Sequence, residues 1–144
     1  MNPLMLSALL VFVLAKTVHA TYRQTCKNII FNKNDPMTGG RPSLTADCPQ
    51  EDNGFVLCTK LDLGFCYANL SGKLTAQNSD DARQGFGATC WDCVFAVNTL
   101  QCVSPTPSSL ATSLFGCVGY DELIENNNGY LRCFNHLSKP NCGG

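Results

Sequence analysis

Cys90-Trp91-Asp92-Cys93 has the spacing of a thioredoxin-like redox pair. The alternating strand–helix–strand context that such a pair needs is missing, so a structural role is the expectation. Zinc is disfavoured because these cysteines are expected to be taken up in disulfides, and past residue 20 the chain has one histidine, His136, in a polar stretch expected to be exposed. A Ser-His-Asp triad would have to use it, and no nucleophile elbow is present. The acid pairs Asp80-Asp81 and Asp121-Glu122 have the residue types of glycoside hydrolysis. The first lies in a polar connector. The second begins a helical turn, where acids favour the N-terminus. No catalytic residue, metal or cofactor is expected.

What remains is amide-rich. Asn126-Asn127-Asn128-Gly129 interrupts an apolar pattern formed by Tyr120, Leu123 and Ile124 before it and Tyr130-Leu131 after it. Asn and Gly tolerate the left-handed backbone of a tight turn, so a helical turn, a tight turn and a strand are predicted. The same design occurs at Leu61–Leu74. With Gly72 laid on Gly129, Asn69 falls on Asn126, Leu74 on Leu131, Leu61 on Val118 and Leu63 on Tyr120. A unit that occurs twice points to an internal repeat.

Residues 1–20 carry a twelve-residue run, Leu4–Ala15, apolar except for Ser7, followed by Val18-His19-Ala20. This reads as a secretory signal peptide cut after Ala20, too short to span a bilayer. Residues 21–144 are then expected to form one secreted domain: repeat one at about 21–75, repeat two at about 85–134 and a tail at 135–144. All ten cysteines lie there, which in a secreted chain predicts five disulfides. Nine Lys and Arg stand against eleven Asp and Glu, with no basic stripe, so nucleic acid and anionic membrane are poor partners.

Along the chain, Tyr22–Ile30 reads as a strand and Asn32–Pro42 as a loop, with Asp-Pro and Gly-Gly as breakers. Ser43–Cys48 is a short strand, Pro49–Gly54 an acidic turn and Phe55–Leu61 a strand. Thr75–Arg83 is a polar connector. Phe86–Val97, Leu100–Cys102 and Leu110–Val118 are strands, with Ser104–Ser109 a loop. Trp91, in an apolar strand, is expected in the core. Asn135–Gly144 reads as a polar tail that Cys142 could clip back. No helical spacing persists over several turns, so the class expected is all-β with short helical turns.

In order, each half runs Thr-Cys, a second cysteine after Leu, a strand, a helical turn, Asn-x-x-Gly and Leu. Repeat one carries this as Gln24-Thr25-Cys26, Leu44–Cys48 and Leu61 through Asn69, Gly72 and Leu74. Repeat two carries it as Thr89-Cys90, Leu100-Gln101-Cys102 and Tyr120 through Asn126, Gly129 and Leu131. This pattern resembles the cyanovirin-N family of carbohydrate-binding proteins over residues 21–134. The resemblance implies two intertwined repeats forming two pseudo-symmetric lobes, one near 21–66 and 121–144, the other near 67–120. It implies disulfides Cys26–Cys48 and Cys90–Cys102. It leaves Cys58, Cys66, Cys93, Cys117, Cys133 and Cys142 to pair in any of 15 ways. The Asn32–Pro42 segment departs from the family pattern and is expected to be an inserted loop.

The resemblance further implies a lectin for mannose-rich glycans, non-catalytic. Its first site would fall on Thr21, Gln24, Thr25, Asn126, Asn127, Asn128 and Gly129, with Glu51 at the edge. Pro49 stands where the family has an acidic residue. The second site matches poorly: Asn69, Ser71, Thr89 and Ser104 remain, but Ala68, Val103 and Pro105 replace polar groups. Asn69-Leu70-Ser71 is also an N-glycosylation sequon, and a glycan there would cover that site. Glycans or glycoproteins are the expected partners, for a monomer or for a domain-swapped dimer hinged at Thr75–Arg83. A signal peptide with many disulfides, within this family, suggests a secreted fungal protein. The rival reading is a secreted disulfide-rich effector or inhibitor that acts on the same scaffold through protein contacts.

Overall fold

A computed structural model describes residues 21–70, 73–84, 86–96, 99–103 and 117–140. The predicted signal peptide, Ser71, the Ser104–Ser109 loop and Cys142 lie outside them. So do residues 110–116 of the strand expected at Leu110–Val118 and the side chain of Trp91. No helix among the described residues is long and apolar enough to cross a membrane.

Among the described residues the elements are mainly strands, with short helical and 3-10 turns between them. A single helical turn, α1 (Tyr22–Thr25), leads into β1 (Lys27–Asp35), β2 (Arg41–Pro49) and β3 (Val56–Asp62). A hairpin of β4 (Tyr67–Leu70) and β5 (Lys73–Ala76) follows, then β6 (Trp91–Ala96), β7 (Thr99–Val103) and β8 (Cys117–Tyr120). The chain closes with β9 (Glu125–Asn127), β10 (Tyr130–Cys133), β11 (His136–Leu137) and β12 (Lys139–Pro140). The sheets run β1-β2-β3-β12, β11-β10-β9, β4-β5 and β6-β7-β8. The tail strand β12 joins the sheet of repeat one, the Thr21–Glu125 bridge ties the chain start to β9 of repeat two, and the middle strands form sheets of their own. This agrees with the intertwined arrangement that the family resemblance implies.

The repeat is visible in geometry. Asn69 pairs with Leu74 in one hairpin and Asn126 with Leu131 in the other. Asn28 and Asp92 each adopt positive φ, 50° and 47°, at a bulge just after Cys26 and Cys90. One apolar cluster contains Tyr22, Leu44, Leu61, Phe86, Leu100, Ile124 and Leu131. Full burial of each large side chain stabilises by about 1.5–3 kcal/mol.

Five sequence expectations change. Residues 22–25 form the helical turn α1 rather than strand, because Tyr22 is fully buried and the Cys26 amide bonds back to the Tyr22 carbonyl at 2.7 Å. Residues 86–88 likewise form a 3-10 turn ahead of β6. The Asn32–Pro42 segment is not a loop throughout. β1 continues to Asp35 and β2 begins at Arg41, so a 3-10 turn at Pro36–Thr38 and two positive-φ glycines, Gly39 and Gly40, suffice to connect them. Asp35 closes that turn. Its carboxylate accepts from Met37 N at 2.9 Å and Ser43 Oγ at 2.5 Å, and Lys60 Nζ lies 2.9 Å away.

The fourth change is the tail. β11 pairs with β10 and β12 pairs with β3, the Ser138 amide bonds to the Leu131 carbonyl at 2.7 Å, and the buried Ser138 and Thr59 hydroxyls bond to each other. His136 is not exposed. Its ring stacks on Phe65 at 4.6 Å and its Nε2 is buried.

The fifth is a disulfide. Cys26–Cys48 is present, but Cys102 bonds to Cys93, not to Cys90. Register explains this. Lys27 pairs with Asp47, which sets Cys26 across from Cys48. In repeat two Val94 pairs with Gln101, which sets Cys93 across from Cys102, with 4.0 Å between Cα atoms. Trp91 already pairs with Val103, so Cys90 stands beyond that bulge and is bonded elsewhere. Cys66, which caps a 3-10 turn at Leu63–Phe65, is bonded to Cys133 and so ties the end of β3 to β10 over 67 residues of sequence. The Cys90–Cys93 redox reading fails on the same fact.

Candidate functional site

Three segments far apart in sequence meet beside β9 and β10. The hairpin is the centre. Asn127 pairs with Tyr130 and leaves Asn128-Gly129 as a two-residue loop, with φ of 51° and 90°. Positive φ at both positions defines the type I′ turn, for which Asn-Gly is the favoured pair. Gly129 is also required for space: a Cβ there would lie 2.7 Å from Gln50 Cγ and 3.0 Å from Leu57 Cδ1.

Residues 49–52 dock onto this hairpin through two asparagines. Asn128 Oδ1 accepts from the Glu51 amide at 2.8 Å, and its Nδ2 donates to Asp52 Oδ2 at 2.9 Å. Asn126 Nδ2 donates to the Pro49 carbonyl at 3.1 Å, while its Oδ1 accepts from the Gly129 amide at 2.8 Å. Each amide therefore uses one donor and one acceptor internally, and its chemistry retains a second N–H and a second lone pair. The chain start is the third segment. Thr21 bridges to Glu125, and the Tyr22 amide reaches the Ile124 carbonyl at 3.4 Å. Buried Tyr22 anchors α1 and leaves Gln24 exposed, with Thr25 half-buried.

Direct bonds thus join Glu51 to Asn128 and Asn126 to Gly129, and Thr21 is bridged to Glu125, the residue before Asn126. Asn127 follows Asn126 in β9 and projects from the opposite face. Gln24 and Thr25 lie on the neighbouring turn. Thr25 lines a shallow pocket of about 270 Å³ with Lys27, Asn28, Asp47, Pro49 and Val56. Sequence reasoning missed Asp52, the second half of the Asn128 clamp, and the pocket residues contributed by β1 and β2. The acidic turn was legible, but its docking partner lies 76 residues away. A surface of amides, hydroxyls and backbone groups suits a neutral ligand rich in hydroxyls.

In the other lobe Asn69 Nδ2 donates to Thr89 Oγ1 at 3.0 Å, so these two second-site residues do meet. Thr89 Oγ1 in turn reaches the Phe86 carbonyl at 3.4 Å, as Thr25 Oγ1 reaches the Tyr22 carbonyl at 3.5 Å in the first lobe. Ala68, beside Asn69, is buried and supplies no polar side chain. Ser71 and Ser104 lie outside the described residues. Among those residues no cluster of His, Cys, Asp or Glu could hold a metal ion. Of the acid pairs, Asp81 is engaged by Arg83 at 3.0 Å, whose hydrogen bonds hold its carboxyl below the ordinary range.

The CVNH domain family matches residues 22–132. No curated protein matches the chain in sequence. Solved structures that share the fold include the following three. A MoCVNH3 variant in complex with (N-GlcNAc)4 superposes with a TM-score of 0.58 at 15% identity, covering 81% of this chain and 99% of that one. A designed cyanovirin-N homolog lectin, LKAMG, gives 0.57 at 18%, covering 80% and 100%. A microvirin:mannobiose complex gives 0.53 at 23%, covering 79% and 98%.

Proposed function

The chain belongs to the CVNH domain family, and we propose that it is a secreted, non-catalytic lectin for mannose-rich glycans with one working site. That site comprises Thr21, Gln24, Thr25, Glu51 and Asn126–Gly129. The observation that carries the reading is the clamp on the Asn128-Gly129 hairpin, in which Asn128 holds Glu51 and Asp52 of the neighbouring turn and Asn126 holds the Pro49 carbonyl and the Gly129 amide. It fixes donors and acceptors before a ligand arrives, which lowers the ordering cost of binding. The mannobiose held by microvirin and the N-GlcNAc oligomer held by the MoCVNH3 variant are ligands of the same chemical kind.

The second lobe is structural in this reading. Asn69 is paired with Thr89, Ala68 replaces a polar group, and a glycan on the Asn69 sequon would cover the surface. A monomer with one site has no avidity, which in multivalent binders adds about 10²–10⁴. Exchange of halves about residues 75–83 would restore two first sites per particle. It would have to break the bonds that pin this segment, Gln77 N to Cys66 O at 2.9 Å and Ser79 N to Phe65 O at 3.2 Å. The leader at residues 1–20 and the dense disulfides support secretion.

The rival reading, an effector or inhibitor that binds protein, draws on Phe55 and Val56, which are 69% and 62% exposed next to the docked turn. Glycoprotein capture before and after enzymatic removal of high-mannose glycans separates the two. Loss of capture after deglycosylation, and on Gln24→Ala, supports the lectin. Capture that survives both favours a protein contact. Gln24 is the cleaner probe, because Asn126→Ala would also release the Pro49 carbonyl and the Gly129 amide.

A further inference from the structure

β1 carries an unusual face. Asn28, Ile30, Asn32 and Asn34 occupy alternate positions and, despite bulges at both ends of the stretch, all line one groove. Asparagine is disfavoured in strands, so three on one face have a cost in β-propensity that the opposite face must offset. That opposite face carries Ile29 and Phe31, packed against the core. The asparagine face borders an open groove of about 430 Å³, whose floor includes Thr45 and Asp47 of β2. Asn28 and Asp47 also line the pocket beside Thr25 and Pro49, so the groove continues from the proposed first site.

The groove chemistry is that of a neutral polyol. Asn28 Nδ2 donates to Asp47 Oδ2 at 2.7 Å and Asn32 Nδ2 to Thr45 Oγ1 at 3.4 Å. Each bond uses one of two amide hydrogens and leaves the amide oxygen as an acceptor. Asn34 is exposed, and Ile30, 55% exposed, sits between the amides as an apolar patch for the C–H face of a pyranose. Lys60 is already held by Asp35, whereas the Asp47 carboxylate is bonded, among the described residues, only by the neutral Asn28 amide, so the groove offers acceptors to sugar hydroxyls and disfavours an anionic ligand. An unbroken strand from Asn28 to Asn34 would rise about 20 Å, and the bulges at either end shorten this stretch somewhat.

We propose that the β1–β2 face is an extended carbohydrate subsite, which takes the inner residues of a neutral oligomannose whose terminal residues occupy the first site. The proposal rests on the lectin reading and extends it from a disaccharide to a longer chain.

The test is titration of the oxidised protein with mannobiose and with a linear oligomannose long enough to fill the groove. Wild type, the double variant Asn32→Ala/Asn34→Ala and Gln24→Ala are compared, with thermal midpoints to confirm folding. The longer glycan should bind wild type about tenfold tighter than mannobiose or better, as two net hydrogen bonds would give. The double variant should lose that gain and leave mannobiose binding unchanged. Backbone amide shifts at residues 28–34 should move with the longer glycan alone. Equal affinities for the two sugars, or unmoved shifts at residues 28–34, would overturn the subsite. Loss in the double variant with Gln24→Ala silent would keep the groove and refute the first-site reading. No binding of either sugar would overturn both.

Discussion

Gly129→Ala isolates the packing of the proposed site from the strain of its turn. Gly129 has φ of 90°, and an added Cβ would meet Gln50 Cγ at 2.7 Å and Leu57 Cδ1 at 3.0 Å. Gly54, in the turn that docks onto the same hairpin, has φ of 71° and nothing within 4 Å of such a Cβ. Both alanines carry the left-handed penalty of about 1–2 kcal/mol. Only Gly129→Ala adds overpacking, at about 1–3 kcal/mol. The Gln50 side chain is flexible and only half-buried, which favours the lower half of that range. The difference between the variants is therefore about 1–2 kcal/mol. With a urea slope of about 1–3 kcal/mol/M, Gly129→Ala should unfold at a midpoint roughly 0.5–1 M below that of Gly54→Ala. The assay is equilibrium urea unfolding of oxidised protein, followed by fluorescence and far-UV dichroism together. The hairpin displacement should also weaken glycan binding in Gly129→Ala. Equal midpoints for the two variants would refute the claim that the 51–57 segment is packed onto the hairpin.

Other outcomes follow from the same geometry. Burial raises the pKa of Asp35, but hydrogen bonds from Ser43, Lys60 and the Met37 amide outweigh it and leave the pKa below 3.8. A lowered carboxylate pKa gives stability that is present above 3.8 and lost as pH falls below it. Acid titration of stability should be shallower in Asp35→Asn, which should also cost about 3 kcal/mol at neutral pH by leaving Lys60 without its buried partner. Replacing both members of Cys66–Cys133 by serine should cost about 4 kcal/mol, against about 3 for Cys93–Cys102, because the sequence separations are 67 and 9. Urea midpoints of the two double variants check the order. Peptide mapping of unreduced protein should recover Cys93 linked to Cys102, and recovery of a Cys90–Cys102 peptide would contradict the register of β6 and β7. Protein secreted from a eukaryotic host should lose mass after endoglycosidase treatment, and Asn69→Gln should abolish that loss.

The hairpins were the most legible part of the chain. Asn-x-x-Gly between apolar residues is a local signal, and it placed Asn69 and Asn126 at equivalent positions opposite Leu74 and Leu131. The end of β1 was not legible, because Asn32–Asp35 meets solvent or a buried cation with polar residues, so a strand there has the composition of a loop. The 136–140 segment forms strands only through partners elsewhere: Phe65 under His136, Leu131 for the Ser138 amide, and β3 beside Lys139-Pro140. The Cys93–Cys102 bond depends on a bulge after Cys90, which shifts register by an amount that cysteine spacing does not encode. At the site, residue types pointed to amides and hydroxyls. What they could not give was the internal use of those amides, since Asn126 and Asn128 bond to groups 77, 77 and 76 residues away.

Calorimetric titration of the oxidised protein with mannobiose tests the lectin reading most directly. One-to-one binding that is lost in Gln24→Ala and kept in Thr89→Ala is the predicted result. Silence at about millimolar sugar, where a Kd corresponds to about −4 kcal/mol, would contradict it and leave the exposed Phe55-Val56 surface and a protein partner as the explanation of the fold's use.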